Sequence, residues 1–222
     1  MSEAPHATHQ FDEHQRATIE AAMARIIPTD DTPGAREAGT IDFLERYLSG
    51  IDYIFARPDG SGFEKLEGRT AESWWQRVEA ARSKYAQGVE DLDSLAKHQH
   101  DVTFVELAED QQDEVLRTLD ARSRGVETQG STEIAYGMEP ALQQTNAEAD
   151  LDFFPLLVTH TRQGFLSDPI YGGNRDRVGW KVIGFPGPAS LAEVHNGTYS
   201  TLEYFADNRL HPGQEDNDDE RQ

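Results

Sequence analysis

The sequence predicts a mainly α-helical protein: a single-domain helical bundle with a long glycine-, proline- and aromatic-rich loop region and little or no sheet. Three observations lead there. Apolar residues recur at three- and four-residue spacing in several segments that open on capping residues. No run of alternating apolar and polar residues lasts more than a few positions, so the strand signal is thin. Glycine, proline and aromatic residues gather in one stretch, residues 164–188, instead of punctuating short strands at regular intervals. No internal repeat is found.

Residues 1–10 read as a disordered N-terminus. Asp12 and Gln15 form a capping box that opens a helix to about Ile26, with Ile19, Ala22, Met23 and Ile26 on one face and Pro28 as the stop. Thr32 as cap and Pro33 at the first helical position predict a second helix ending at Gly50, with Ile41, Leu44 and Leu48 as its stripe. IDYIF at 51–55 is a loop anchor or a brief strand, and RPDGSGF is a turn. Thr70 caps a third helix over about 71–87, with Trp74, Trp75, Val78, Ala81 and Tyr85 inward. Leu92, Leu95 and Ala96 suggest a further short helix. A charged helix follows from about Glu109 to Ser123, carrying Val115, Leu116 and Leu119. Residues 124–148 read as a surface loop. Residues 151–163, LDFFPLLVTHTRQ, are apolar and long enough for a helix. Residues 191–205 form a weak final helix or extended segment. The helical domain thus spans 11–210, and 211–222 form an acidic, disordered tail.

The stretch GFLSDPIYGGNRDRVGWKVIGFPGP (164–188) combines properties that linkers and cores do not share. Glycine and proline alternate with Phe165, Ile170, Tyr171, Trp180 and Phe185, which predicts an ordered loop in unusual backbone geometry with aromatic anchors. Asp168-Pro169 fixes an extended entry. Gly172-Gly173 allows a turn or a close approach, and Asn174, Arg175, Asp176 and Arg177 present a dense polar cluster. A well-packed structural loop and a partner-facing surface both fit this composition, since binding residues gather on ordered loops.

Composition narrows the function classes. The chain has 222 residues, a net charge of −21 and 36% hydrophobic residues. Such a charge repels nucleic acid and anionic membrane surfaces. No apolar run approaches the roughly 20 residues of a membrane span, so no direct membrane insertion is expected. Cysteine is absent, which removes disulfides, thiolate nucleophiles and cysteine-held metal clusters. MSEAPHATHQF carries no basic, apolar or twin-arginine export signature, and a cytoplasmic location is expected, or an exported one if the address lies on a partner.

Catalytic motifs are sparse. There is no phosphate-binding loop, no GxGxxG after a strand, no GxSxG and no HExxH. His98, His100 and Asp101 have metal-like spacing but fall at the polar end of a helix, where alternate residues diverge. His160 lies in an apolar helix, where a hydrogen-bonded core histidine is the commoner role. Asp30, Asp31, Glu37 and Asp42 cluster where helix caps are expected. The residues therefore predict no catalytic, cofactor-binding or metal-binding group. Two alternatives remain: a stand-alone sugar-acting enzyme using His160 and Asp168, and a carbohydrate-binding protein using Trp74 or Trp75.

Three segments carry a resemblance. ARIIPTDDTPGAREAGTIDFLERYL (24–48), FVELAEDQQDEVLRTL (104–119) and the 164–188 stretch together resemble the gluconate 2-dehydrogenase subunit 3 family. The resemblance covers most of residues 11–190. It implies a non-catalytic small subunit that stabilises a larger partner of the glucose–methanol–choline oxidoreductase type. That flavoprotein holds the FAD and acts on a sugar or polyol, and some complexes add a cytochrome c subunit. Many relatives open with a twin-arginine signal, which this chain lacks, so an export-escort role does not follow from its motifs. On this reading Phe165, Asp168, Pro169, Tyr171, Gly172, Gly173, Asn174, Arg175, Asp176 and Trp180 form the partner interface.

Overall fold

The computed structural model describes residues 10–130, 148 and 150–200. Among them it contains eight α-helices and no strand. The helices are α1 (Glu13–Ile26), α2 (Ala35–Ala38), α3 (Thr40–Ser49), α4 (Gly68–His100), α5 (Glu109–Gly130), α6 (Phe153–Leu166), α7 (Val178–Val182) and α8 (Leu191–His195). Short 3-10 turns at Ile51–Tyr53, Phe104–Glu106, Pro169–Tyr171 and Arg175–Arg177 join them. The architecture is the mainly helical bundle that the sequence predicts.

α1 begins as its capping box requires. The Gln15 amide donates to Asp12 Oδ1 at 2.8 Å, and the Asp12 amide donates back to Gln15 Oε1 at 3.1 Å. Ile19, Ala22 and Met23 are buried, and Ile26 packs at the edge of the core. Leu44 and Leu48 on α3, Val78 and Tyr85 on α4, and Leu156 and Leu157 on α6 are fully enclosed. Burying each of these large apolar side chains is worth roughly 1.5–3 kcal/mol. α6 sits in the middle, against α1, α3, α4 and α5, with its most extensive contact on α3. Polar links fix the outer helices. Arg25 of α1 pairs with Asp113 and Glu109 of α5 at 2.8 and 2.5 Å. Arg82 of α4 donates to the Leu48 carbonyl at 2.9 and 2.6 Å, satisfying the end of α3.

Several expected boundaries shift. The predicted second helix is two, because Gly39 adopts φ +66° and ends α2 before α3 starts. Its first turn begins at Ala35, and Glu37 closes it by accepting from the Gly34 amide at 2.9 Å and the Thr29 hydroxyl at 2.7 Å. The third helix and the short one after it are a single helix of 33 residues, roughly 50 Å long. Gly88 does not stop it; a Cβ there would lie 2.2 Å from the Phe153 ring, so glycine lets α6 close onto α4. α5 runs on to Gly130, past the predicted end at Ser123. The rest of the expected 124–148 loop, residues 131–147, lies outside the described residues, as do 201–222 with the acidic tail. Within residues 51–55, Ile51–Tyr53 make a 3-10 turn, and one antiparallel bridge, Ala56 to Phe63, follows. Trp74 and Trp75 do not join the core: Trp75 is 41% exposed under the Arg82 guanidinium, and Trp74 meets Phe55 edge-on at 5.4 Å.

Candidate functional site

The glycine–aromatic segment folds back onto α3 and the end of α6, and the physical reason is backbone contact. A Cβ on Gly173 would stand 2.2 Å from the Gly164 carbonyl oxygen, and one on Gly179 would stand 1.8 Å from that of Phe165. Only glycine permits either approach. Asn174 holds the two layers together. Its amide donates to Gly164 O at 2.8 Å, its Nδ2 donates to Ser167 O at 2.8 Å, and its Oδ1 accepts from the Gly179 amide at 2.9 Å. It is fully buried at φ +46°, a left-handed geometry that asparagine tolerates better than most residues.

Trp180 lies beneath the segment. It is 6% exposed, its indole donates to Leu166 O at 2.7 Å, and Phe185 meets its ring edge-on at 5.3 Å. Phe165 is likewise buried. Asp168 accepts from the Ile170 amide at 2.9 Å and opens the Pro169–Tyr171 turn. Arg46 of α3 donates to Ile170 O at 2.7 Å and lies over the Tyr53 and Phe63 rings. Tyr171 packs its edge on Phe63, and its hydroxyl accepts from the Ala56 amide at 3.3 Å. Arg175 and Asp176 are exposed; Arg175 pairs with Asp42 at 2.5 Å, and Asp42 also receives Arg16 of α1. The ten residues expected at a partner contact therefore divide. Phe165, Gly173, Asn174 and Trp180 are enclosed by this chain, whereas Asp168, Pro169, Tyr171, Gly172, Arg175 and Asp176 reach its surface.

Beside this segment lies a pocket of about 390 Å³. Phe43 and Tyr47 come from α3, Tyr53 and Ile54 from the turn after it, Gln163 and Leu166 from α6, and Ser167 and Tyr171 from the segment itself. The lining is almost wholly apolar. The Ser167 hydroxyl is buried with no hydrogen-bond partner. Leu166, which lines the pocket, stays 40% exposed, and Val182 and Ile183 at the end of α7 are 40% and 53% exposed. Except for Tyr171, none of the pocket residues stands out as a site residue in the sequence, because only the folded α3–α6 contact brings them together.

A second cluster lies deeper. His160 is fully buried, its Nδ1 is 2.9 Å from the Tyr85 hydroxyl, and the Tyr47 ring packs on it at 5.0 Å. The Tyr47 hydroxyl and the Gln163 amide both donate to Glu148, at 3.3 and 2.9 Å. Burial lowers the imidazole to about 4, against a smaller opposing pull from Glu148. Burial also raises both phenols, Tyr47 and Tyr85, with Glu148 adding to the effect. A neutral imidazole sealed from solvent holds helices together and meets no substrate in this conformation. The large pocket is lined by neither His160 nor Asp168. His98 is exposed on the last turn of α4, and Asp101 caps that helix at φ +64°. Among the described residues, no three metal-ligating side chains come together, and no helix is long and apolar enough to cross a membrane.

No curated protein and no solved structure matches the chain. One family model does, described as gluconate 2-dehydrogenase subunit 3, over residues 13–187. The match takes in α1 through α7, the Asn174-centred segment and every residue of the apolar pocket. The chain belongs to the gluconate 2-dehydrogenase subunit 3 family.

Proposed function

We propose that this protein is a non-catalytic small subunit that binds and stabilises the FAD-dependent catalytic subunit of a sugar, polyol or glycoside dehydrogenase. The observation that carries this reading is the family match over residues 13–187, since the family is described as a subunit of a dehydrogenase. The sequence offers no dinucleotide fingerprint, so the reading assigns the flavin to a partner of the glucose–methanol–choline type. A cytochrome c subunit completes the complex in one version of it. The contact is assigned to the surface-reaching residues of the glycine–aromatic segment, Asp168, Pro169, Tyr171, Gly172, Arg175 and Asp176. Asn174 and Trp180 support them from below.

The experiment is co-expression with a flavoprotein of the glucose–methanol–choline type encoded in the same genome. The expected result is a complex that survives purification, with the flavoprotein less soluble or less active when produced alone. Separation of the two chains, with an equally soluble and active flavoprotein, refutes the reading.

A further inference from the structure

We infer that the subunit contact extends from the glycine–aromatic segment onto an aromatic–arginine face at residues 53–75, and that the catalytic subunit covers this face with an apolar patch rimmed by carboxylates. The inference rests on the accessory-subunit reading and deepens it, because it names a second patch, its anchors and the chemistry that meets them.

Direct contacts join the face to the segment. Tyr171 meets Phe63 edge-on at 5.7 Å, and its hydroxyl accepts from the Ala56 amide at 3.3 Å. Phe63 meets Tyr53 at 5.5 Å, and Arg46 lies over both rings while donating to Ile170 O at 2.7 Å. Phe55, next to Ala56, meets Trp74 at 5.4 Å. Phe55 and Trp75 remain 40% and 41% exposed. The two indoles are held in place. Arg77 lies over Trp74 at 4.4 Å, and Arg82, over Trp75, is tied to Leu48 O and Glu79. Rings fixed in this way lose little freedom on binding, and Trp, Tyr and Arg are favoured interface anchors.

Charge says what covers them. Residues 46–85 and 164–188 together hold ten Lys or Arg against eight Asp or Glu, a net +2. The other 157 residues carry −23. A basic protein surface is drawn to that acidic remainder and away from this face. Arg57, Lys65 and Arg69 are exposed here and suit carboxylates on the surface that docks. A second copy of this chain brings its own −21, which opposes self-association.

The test uses the complex formed by co-expression with the flavoprotein subunit. Trp75→Ser and Phe55→Ser each remove one exposed anchor, and Phe55→Ser keeps the question decidable if Trp75→Ser folds poorly. Val105→Ser is the control; Val105 is 38% exposed on the Phe104–Glu106 turn, outside both stretches. Trp75→Ser is expected to weaken the complex by about tenfold or more and Phe55→Ser by a few-fold, with Val105→Ser unchanged. Reversing the rim with Lys65→Glu and Arg69→Glu together is expected to slow association by about tenfold at low salt, and added salt closes the gap. Wild-type chains that never associate sink the accessory-subunit reading itself. Wild-type chains that associate, with both serine variants binding equally well, overturn only this face. Faster association of the charge-reversed chain overturns the carboxylate assignment. A free chain that sediments as a dimer, dissociated by Trp75→Ser while the complex is unaffected, assigns the face to a second copy and overturns the inference.

Discussion

His160 and Tyr85 lie with their rings 5.8 Å apart and nearly parallel, and the imidazole Nδ1 is 2.9 Å from the phenol oxygen. They stand 75 positions apart in the sequence and join α6 to α4 inside the core. The phenol stays protonated, since burial raises it. The imidazole stays neutral, since burial lowers it to about 4. The groups facing it are Tyr47 from α3, Arg77 and Lys84 from α4, and Glu148.

This pairing makes stability depend on pH with a definite sign. The unfolded histidine titrates near 6.5 and the folded one near 4, so the unfolded chain binds the extra proton in between. The contribution is fully present above pH 6.5 and is lost as pH falls towards 4. The full depression corresponds to roughly 3 kcal/mol. Urea unfolding of the wild type and of His160→Gln at pH 7 and pH 4.5 isolates it. The variant is less stable at pH 7, and the gap narrows by a few kcal/mol at pH 4.5. A constant gap refutes the assignment.

Asn174 predicts an ordered series of losses. Asn174→Ala removes two buried side-chain bonds, to Ser167 O and from the Gly179 amide, and leaves a Cβ at φ +46°. Each orphaned group costs about 1–3 kcal/mol, so a loss of roughly 2–5 kcal/mol is expected. Asn174→Gly loses the same bonds but relaxes the backbone, and it is therefore less damaging than alanine. Asn174→Asp keeps the acceptor for Gly179 and sets a carboxylate against the Ser167 carbonyl. Denaturant midpoints of the three variants check the order.

Such contacts mark the limit of what sequence shows. The Asp12–Gln15 box, the Ile41, Leu44 and Leu48 stripe and the polar end of α4 are local, and local chemistry determines them. Gly39 is local too, yet a helix with one internal glycine and two helices meeting at a left-handed glycine look alike in sequence. Trp74 and Trp75 fall on helical spacing with Val78, but the bundle covers only one side of that part of α4. The glycine–aromatic pattern announces an ordered segment without saying which rings turn inward. Trp180 is enclosed because Leu166 O and Gly187 lie where the fold brings them. The pocket spans Phe43 to Tyr171, so no short window contains it.

Close backbone contact at Gly179 makes a sharper prediction about the same segment. Gly179→Ala puts a methyl group 1.8 Å from Phe165 O, and neither backbone can yield without losing Asn174's bond to that amide. The expected loss exceeds about 3 kcal/mol. Gly62→Ala is the contrast, because nothing lies within 4 Å of its Cβ. Its cost comes from φ +141° alone and is roughly 1–3 kcal/mol. Trp180→Ala adds a cavity under the segment and costs about 3–5 kcal/mol in the free chain. Thermal melts of the isolated subunit check all three, and a Gly179→Ala protein as stable as Gly62→Ala contradicts the packing.

Net charge sets the last expectation. A chain of 222 residues at −21 repels itself when compact. Salt shortens the screening length from about 30 Å at 0.01 M to about 10 Å at 0.1 M, which is enough to mute repulsion between exposed carboxylates. The attractive pairs respond less, because Arg25 keeps only 16% of its side chain exposed beside Asp113, and Arg16 bridges the enclosed Glu45. Adding sodium chloride over that range therefore raises the melting temperature, by about 2–4 °C for each ~1 kcal/mol of repulsion removed. Neutralising Arg25 with Arg25→Met lowers stability at every salt concentration while preserving the upward slope. A slope that is flat or negative for the wild type means that ion pairs outweigh self-repulsion, and the charge argument fails.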